Sequence, residues 1–314
     1  MTGVERLGLG LAAIGRPAYI TSGRDLDLPG DRSWSDLRAR AYELLDLAYS
    51  LGIRYFDAAR SYGDAERFLG SWLDERGIDD AFVASKWGYT YTGGWRMDSE
   101  QHEVKSHDRE TFERQLTESL ALLDGRLRLY QIHSLTPDSP LLEDRPLLRR
   151  LSALRDDGIE VGVSTSGPRQ AETIRRLLDV AVDGRRLVTS VQATWNVLEP
   201  SAGPALAEAH AHGLRVVVKE ALANGRLTAR SPDVDELSAI ASRHGVGVDA
   251  VAIAAALAQP WSDVVLSGAV TTDQLTSNAA ARASRLTPDE LATLSTLAEP
   301  PVDYWEARSR RPWT

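Results

Sequence analysis

The 314-residue chain contains no cysteine. Disulfides, thiolate-bound metals and a cysteine nucleophile are therefore excluded. Lysine is almost as scarce. Of the 36 basic residues only Lys86, Lys105 and Lys219 are lysines, and the rest are arginines. A position that keeps an ammonium against that bias is a candidate for chemistry a planar guanidinium does not do. No apolar run reaches the ~18–20 residues of a membrane span, and no basic patch followed by a long apolar stretch opens the chain. The expectation is a soluble cytoplasmic protein with no membrane partner. A basic stripe, the footprint of a nucleic-acid binder, is also missing. The net charge is −9, with both signs interspersed. That balance still allows a local site for an anionic nucleotide.

What the chain does have is alternation. Short β-branched runs at 6–11, 53–57, 81–85, 127–132, 159–163, 187–192, 214–219 and 263–267 read as buried parallel strands. Helical patterns lie between them, at 35–50, 108–123, 168–182 and 236–257. Ser35 or Asp36 is the expected cap of the first and Gly52 its stop. Eight strands alternating with helices predict a single-domain α/β fold, a (β/α)8 TIM barrel over residues 1–314. The competing reading is a doubly wound open sheet. Its support would be GLGLAAIG at 8–15, which is not a G-x-G-x-x-G. Segments 20–34 and 88–107 are expected to be irregular, and 299–314 to be a tail.

In a β/α barrel, functional side chains gather where strands end. There the chain places Asp57, Tyr62 in DAARSYGDAE, Lys86 in ASKWG, His133 in LYQIH, Ser164, Thr165, Gln192, Lys219 and Gly268. Four of these make chemical sense together. A phenol titrates at about 10, and a neighbouring ammonium is expected to lower that. A carboxylate would hold the ammonium, and an imidazole could orient a carbonyl oxygen. Each residue alone has a plainer reading: a turn cap for Asp57, packing for Tyr62, a surface charge for Lys86, a structural histidine for His133. Only their common placement favours catalysis. The hydride such chemistry needs would come from a cofactor.

These segments resemble the aldo-keto reductase family. The matching stretches are GIRYFDAARSYGDAE (52–66), ASKWG (84–88), LYQIH (129–133), VGVSTSG (161–167), SVQATWN (190–196) and SGAVTTDQLTSN (267–278), in the family's order. The resemblance implies a (β/α)8 barrel that interconverts a small-molecule aldehyde or ketone and its alcohol with NAD(P)H. It makes Tyr62 the general acid/base, Asp57 and Lys86 its tuning pair, and His133 the orienting group. Ser164, Thr165 and Gln192 would hold the nicotinamide carboxamide. Gly10, Leu11 and Lys219, with Ala221, Leu222, Asn224 and Gly225, would line the cofactor's path. Gly268, Gln274 and Asn278 would line its adenosine end. The chain departs from the family's pattern at Thr165 and at Lys219-Glu220, where an aromatic usually stacks on the nicotinamide. Trp195 or Trp87 could cover the ring instead. NADPH is the implied cofactor, with NADH open because GAVTTDQ holds no basic residue.

Other features carry expectations of their own. Trp87, Tyr89 and Trp95, with Tyr91, are expected either to pack under a loop or to wall an apolar substrate pocket. The pocket reading favours an aromatic or bulky carbonyl over a simple sugar. Tyr304, Trp305 and Trp313 would close that pocket or pack between subunits; the chain could be a monomer or a homo-oligomer. Lys219 and Glu220 form an internal salt bridge or touch cofactor. His102 and Glu103 read as a solvated loop. His210 and His212 face different directions on a helix, and no metal cluster is expected. Two other functions remain open: a nicotinamide-binding regulatory or scaffold subunit, and a barrel hydrolase using Asp57.

Overall fold

The computed structural model describes residues 6–30, 32–231 and 234–314. Eight strands, all parallel, close into a barrel: β1 (Leu7–Gly10), β2 (Tyr55–Asp57), β3 (Phe82–Trp87), β4 (Leu127–Leu135), β5 (Glu160–Thr165), β6 (Ser190–Thr194), β7 (Arg215–Lys219) and β8 (Val264–Ser267). They follow one another around the ring, and β1 closes it by pairing with both β2 and β8. Each of the eight apolar runs supplies one strand, so the open-sheet reading falls. Several strands run further than the sequence suggests, and Lys86, His133, Ser164 and Thr165 lie inside them.

The two-residue period of a strand builds the site. Tyr55, Ala84, Leu129, Val217, Val264 and Leu266 pack with one another as an apolar plug inside the barrel. Gly8 leaves room for it, since a Cβ there would come within 2.8 Å of Leu266. Two residues beyond the plug on the same faces stand Asp57, Lys86, Gln131 and Lys219, with His133 two further. The alternate residues, among them Phe56, Val83, Ile132, Val163, Val191 and Val265, face the helices and join the main core. A polar layer therefore rests on an apolar floor.

Five local expectations need correction. The first long helix spans Trp34–Ser50 and is capped by Ser33, whose hydroxyl accepts from the Asp36 amide, not by Ser35 or Asp36. The pattern at 236–257 is two helices, Asp235–His244 and Val248–Leu257, bent by 88°. Gly245, at φ 65, ends the first in the left-handed conformation that glycine tolerates. The helix begun at Gln170 stops at Leu178, and a small hairpin follows it. Segment 88–107 is not irregular throughout: Tyr89–Tyr91 pairs antiparallel with Glu103–Lys105. The tail is a helix over Pro301–Ser309 and then a strap, with Thr314 and Tyr19 exchanging backbone hydrogen bonds at 3.0 Å. Among the described residues no single helix is long and apolar enough to cross a membrane.

Candidate active site

A cavity of about 650 Å³ opens over the carboxyl ends of the strands. At its base Lys86, fully buried, donates to Asp57 and to the Ala58 carbonyl at 3.0 Å. The other Asp57 oxygen accepts from Gln192 at 2.9 Å and Gln131 at 3.2 Å. Both carboxylate oxygens thus accept hydrogen bonds from buried side chains. The Tyr62 hydroxyl stands 3.4 Å from His133 Nε2, and Ser61 Oγ stands 3.5 Å from His133 Nδ1. Lys86 Nζ lies 4.8 Å from the centre of the Tyr62 ring. The four expected residues are therefore brought together.

Their electrostatics differ from expectation in one respect. Burial, reinforced by the Asp57 charge, pushes the Tyr62 phenol well above its ordinary value, and Arg16 opposes the shift. Burial also lowers Lys86, with Asp57 working against it. The lysine charge is absorbed by its carboxylate, so the phenol is not pulled down. Burial, then Lys86 and Lys219, hold His133 well below the usual imidazole range, and it is neutral at pH 7. The resting site thus presents a protonated phenol beside a neutral imidazole.

From this end the cavity continues past Gly10, Gln192, Lys219, Ala221, Leu222, Asn224 and Gly225 to Gly268, Gln274 and Asn278. Its size suits a cofactor or ligand site. Two details fit an elongated polar ligand: Asn224 Oδ1 is buried without a partner, and a Cβ on Gly268 would meet nothing within 4 Å. Leu11, expected on the cofactor's path, and Ser164 and Thr165, expected to hold the carboxamide, are not among the residues that line this cavity. Leu11 is wholly buried, its amide bonded to the Asp57 carbonyl. The Ser164 hydroxyl accepts from the Ser134 amide at 2.8 Å, and Thr165 turns towards Gln170 at 3.4 Å. Ser134, at φ 52, and Ser166 line the cavity instead.

The sequence profile of the Aldo/keto reductase family matches residues 28–299. The chain belongs to the aldo/keto reductase family. It is 24% identical over 290 residues to aldo-keto reductase str7 of Strobilurus tenacellus, covering 82% of this chain and 81% of that one. Among solved structures, the fold superposes on aldo-keto reductase AKR11C1 from Bacillus halodurans with a TM-score of 0.68, at 23% identity over 94% and 92% of the two chains. Glycerol dehydrogenase AKR11B4 from Gluconobacter oxydans gives 0.69, at 25% identity over 93% and 90%. This family member is accordingly an oxidoreductase that acts on small-molecule carbonyls or alcohols with a nicotinamide cofactor.

The aromatic expectations divide. Trp87 is fully buried against Phe112, 4.9 Å between ring centres, and Trp95 packs on Phe68 and donates to the Arg32 carbonyl. Neither lines the cavity. Trp195 packs on Trp261, so neither tryptophan proposed to cover the nicotinamide stands free to do so. Tyr304 and Trp305 are buried, whereas Tyr89 and Trp313 do line the cavity, together with Tyr19. The position after β7 holds an ion-pair cluster. Glu220, at φ 57, accepts from Arg308 at 2.9 Å and from Thr194 at 3.1 Å, and Lys219 donates to Thr194 at 2.9 Å. Burial alone would raise Glu220, but Arg308 and Lys219 carry it down to about 2. Burial lowers Lys219 to about 8 against the opposing pull of Glu220.

Sequence reading missed Arg16, Glu103 and Arg308, all three on the cavity wall. It also misjudged His102, which is buried and stacks on Trp313 with ring centres 4.3 Å apart. Arg16 follows β1 at the functional end of the barrel, and that position was a usable signal. The partners of Glu103 and Arg308 lie 87 and 88 residues away, beyond any local pattern. Among the described residues no group of histidines and carboxylates is placed to hold a metal.

Proposed function

We propose that the protein reduces an aldehyde or ketone to an alcohol, and reverses that reaction, with Tyr62 as proton donor and acceptor. The observation that carries this reading is the Tyr62 hydroxyl beside His133 Nε2 at 3.4 Å, above the buried Asp57–Lys86 pair and on the wall of a cavity of about 650 Å³. When bound, the nicotinamide supplies the hydride. The residues do the rest. A carbonyl oxygen between Tyr62 and His133 accepts two hydrogen bonds, which concentrate negative charge on it as the carbon is reduced. Tyr62, kept protonated by its raised pKa, then delivers its proton to that oxygen. In the reverse direction Tyr62 must lose its proton first, so alcohol oxidation favours alkaline conditions.

Ala221, Leu222, Asn224 and Gly225 would hold the cofactor's middle, and Gln274 and Asn278 its far end. Asp249 and Asp273 also line that far end. Arg230, a cation of the lining, is tied to Asp27 at 2.7 Å. Acidic groups suit a ribose hydroxyl and repel a 2′-phosphate. We therefore favour NADH over the NADPH that the family resemblance implies.

The test is to follow cofactor absorbance with a panel of aldehydes and ketones. Tyr62→Phe should abolish turnover while leaving the fluorescence-detected affinity for NADH intact. Full activity in Tyr62→Phe would refute the proton role. NADH should bind at least about tenfold tighter than NADPH, a difference of ~1.4 kcal/mol. Equal or reversed affinities would refute the cofactor assignment.

A further inference from the structure

The proposed chemistry leaves one buried cation at the site without a part. Arg16 is only 2% exposed, yet it lines the cavity. Its guanidinium carbon lies 5.1 Å from the centre of the Tyr62 ring, 5.4 Å from that of Tyr19 and 4.8 Å from that of Trp313. Nη1 donates to the Ser61 carbonyl at 2.8 Å and to Glu103 at 2.6 Å. The first of these bonds fixes the backbone immediately before Tyr62. The main chain beside Arg16 is interlocked with the same turn: the Asp64 amide donates to the Gly15 carbonyl at 2.9 Å. A Cβ on Gly15 would lie 2.4 Å from the Tyr62 carbonyl oxygen, and one on Gly63 2.9 Å from the Arg16 Cβ.

We propose that Arg16 is a positioning residue for Tyr62, holding the phenol in place and stabilising its anion, with Glu103 as the counterweight that limits the effect. The inference rests on the acid/base reading of Tyr62. The charged and titratable groups facing this tyrosine are Asp57 from β2, Lys86 from β3, His133 from β4, Glu103 from the strand pair Tyr89–Tyr91/Glu103–Lys105, Glu220 after β7, and Tyr19 and Arg16 after β1. Asp57, Glu103 and Glu220 oppose ionisation. Lys86 is committed to Asp57, and neutral His133 brings no charge. Arg16 is thus the cation left to act on the ring. A cation at such range typically moves a partner's titration by one unit or more.

The experiment measures kcat for alcohol oxidation against pH, with NAD+ and the fastest alcohol from a panel of benzyl alcohol, 2-butanol and glycerol. The ascending limb reports the base in the complex. Arg16→Gln should move that limb up by about one pH unit. Arg16→Lys, which keeps the charge, should bring it back towards wild type, and Glu103→Gln should move it down. A merely structural Arg16 would lower kcat at every pH without moving the limb, and that result would overturn the inference. Should Arg16→Gln fail to fold, as read by its thermal melt and NADH binding, Glu103→Gln still decides: an unmoved limb refutes the pairing. Loss of turnover in Tyr62→Phe combined with unmoved limbs would sink this inference alone. Full activity of Tyr62→Phe, or no turnover with any panel member, would remove the function beneath it and the inference as well.

Discussion

Lys86 donates to Asp57 and to the Ala58 carbonyl, so its ammonium lies under the Tyr62 ring, 4.8 Å from the centre, and makes no hydrogen bond to the phenol oxygen. The pair is a buried electrostatic unit first and a neighbour of the phenol second. Removing one member leaves the other as an uncompensated charge. Lys86→Met should therefore cost about 3–5 kcal/mol of stability. The double variant Asp57→Asn/Lys86→Met should recover most of it, as read by denaturant unfolding. A Lys86→Met protein as stable as wild type would contradict the observed burial.

Lys219 titrates near neutrality, at about 8, because it is buried. Its positive charge on the cavity wall is present below that pH and lost above it. An anionic dinucleotide should bind more weakly at pH 9.5 than at pH 7, and Lys219→Met should flatten this dependence. Fluorescence titration with NADH at the two pH values checks both. Stability moves the other way. The folded lysine sheds its proton before the unfolded one does, so its contribution to stability grows as pH rises from about 8 towards its ordinary value of 10.5.

Glu220 has the opposite sign. It is lowered from 4.5 to about 2. Its contribution is fully present above pH 4.5 and is lost as pH falls from there towards 2. Glu220→Gln should flatten the fall of melting temperature across that interval and leave Arg308 without its carboxylate. Unchanged acid sensitivity in Glu220→Gln would show that other carboxylates govern it.

Gly15 faces backbone atoms. A Cβ there would stand 2.4 Å from the Tyr62 carbonyl oxygen and 2.5 Å from Ala65 Cβ, neither of which can swing away. Gly15→Ala should destabilise the protein by roughly 1–3 kcal/mol. It should also shift the Tyr62 turn, so that kcat falls more than cofactor affinity. Paired thermal melts and kinetics would test this.

Much of the site was legible in the chain because strand periodicity carries direction. Asp57, Lys86 and Lys219 share a face with the apolar plug residues two positions before them, and His133 shares it through Gln131. The same rule could have corrected two expectations. Trp87 follows Lys86 directly and Thr165 follows Ser164, so each must turn away from the barrel, as they do towards Phe112 and Gln170. Residue type misled there, since a tryptophan serves a core as well as a pocket. Glycine spacing similarly marked the break at 245–247 that apolar periodicity ran through.

Eight strands, their alternation with helices and the polar residues that crown the barrel are legible in the chain alone, because period-two burial and turn chemistry are local properties. How that crown is charged depends on contacts that form only in the folded barrel. Arg16 meets Glu103, and Glu220 meets Arg308, across 87 and 88 residues. The Tyr62 phenol is raised where an ammonium on its own would have lowered it, because desolvation and the pairing of Lys86 with Asp57 depend on what the closed barrel buries.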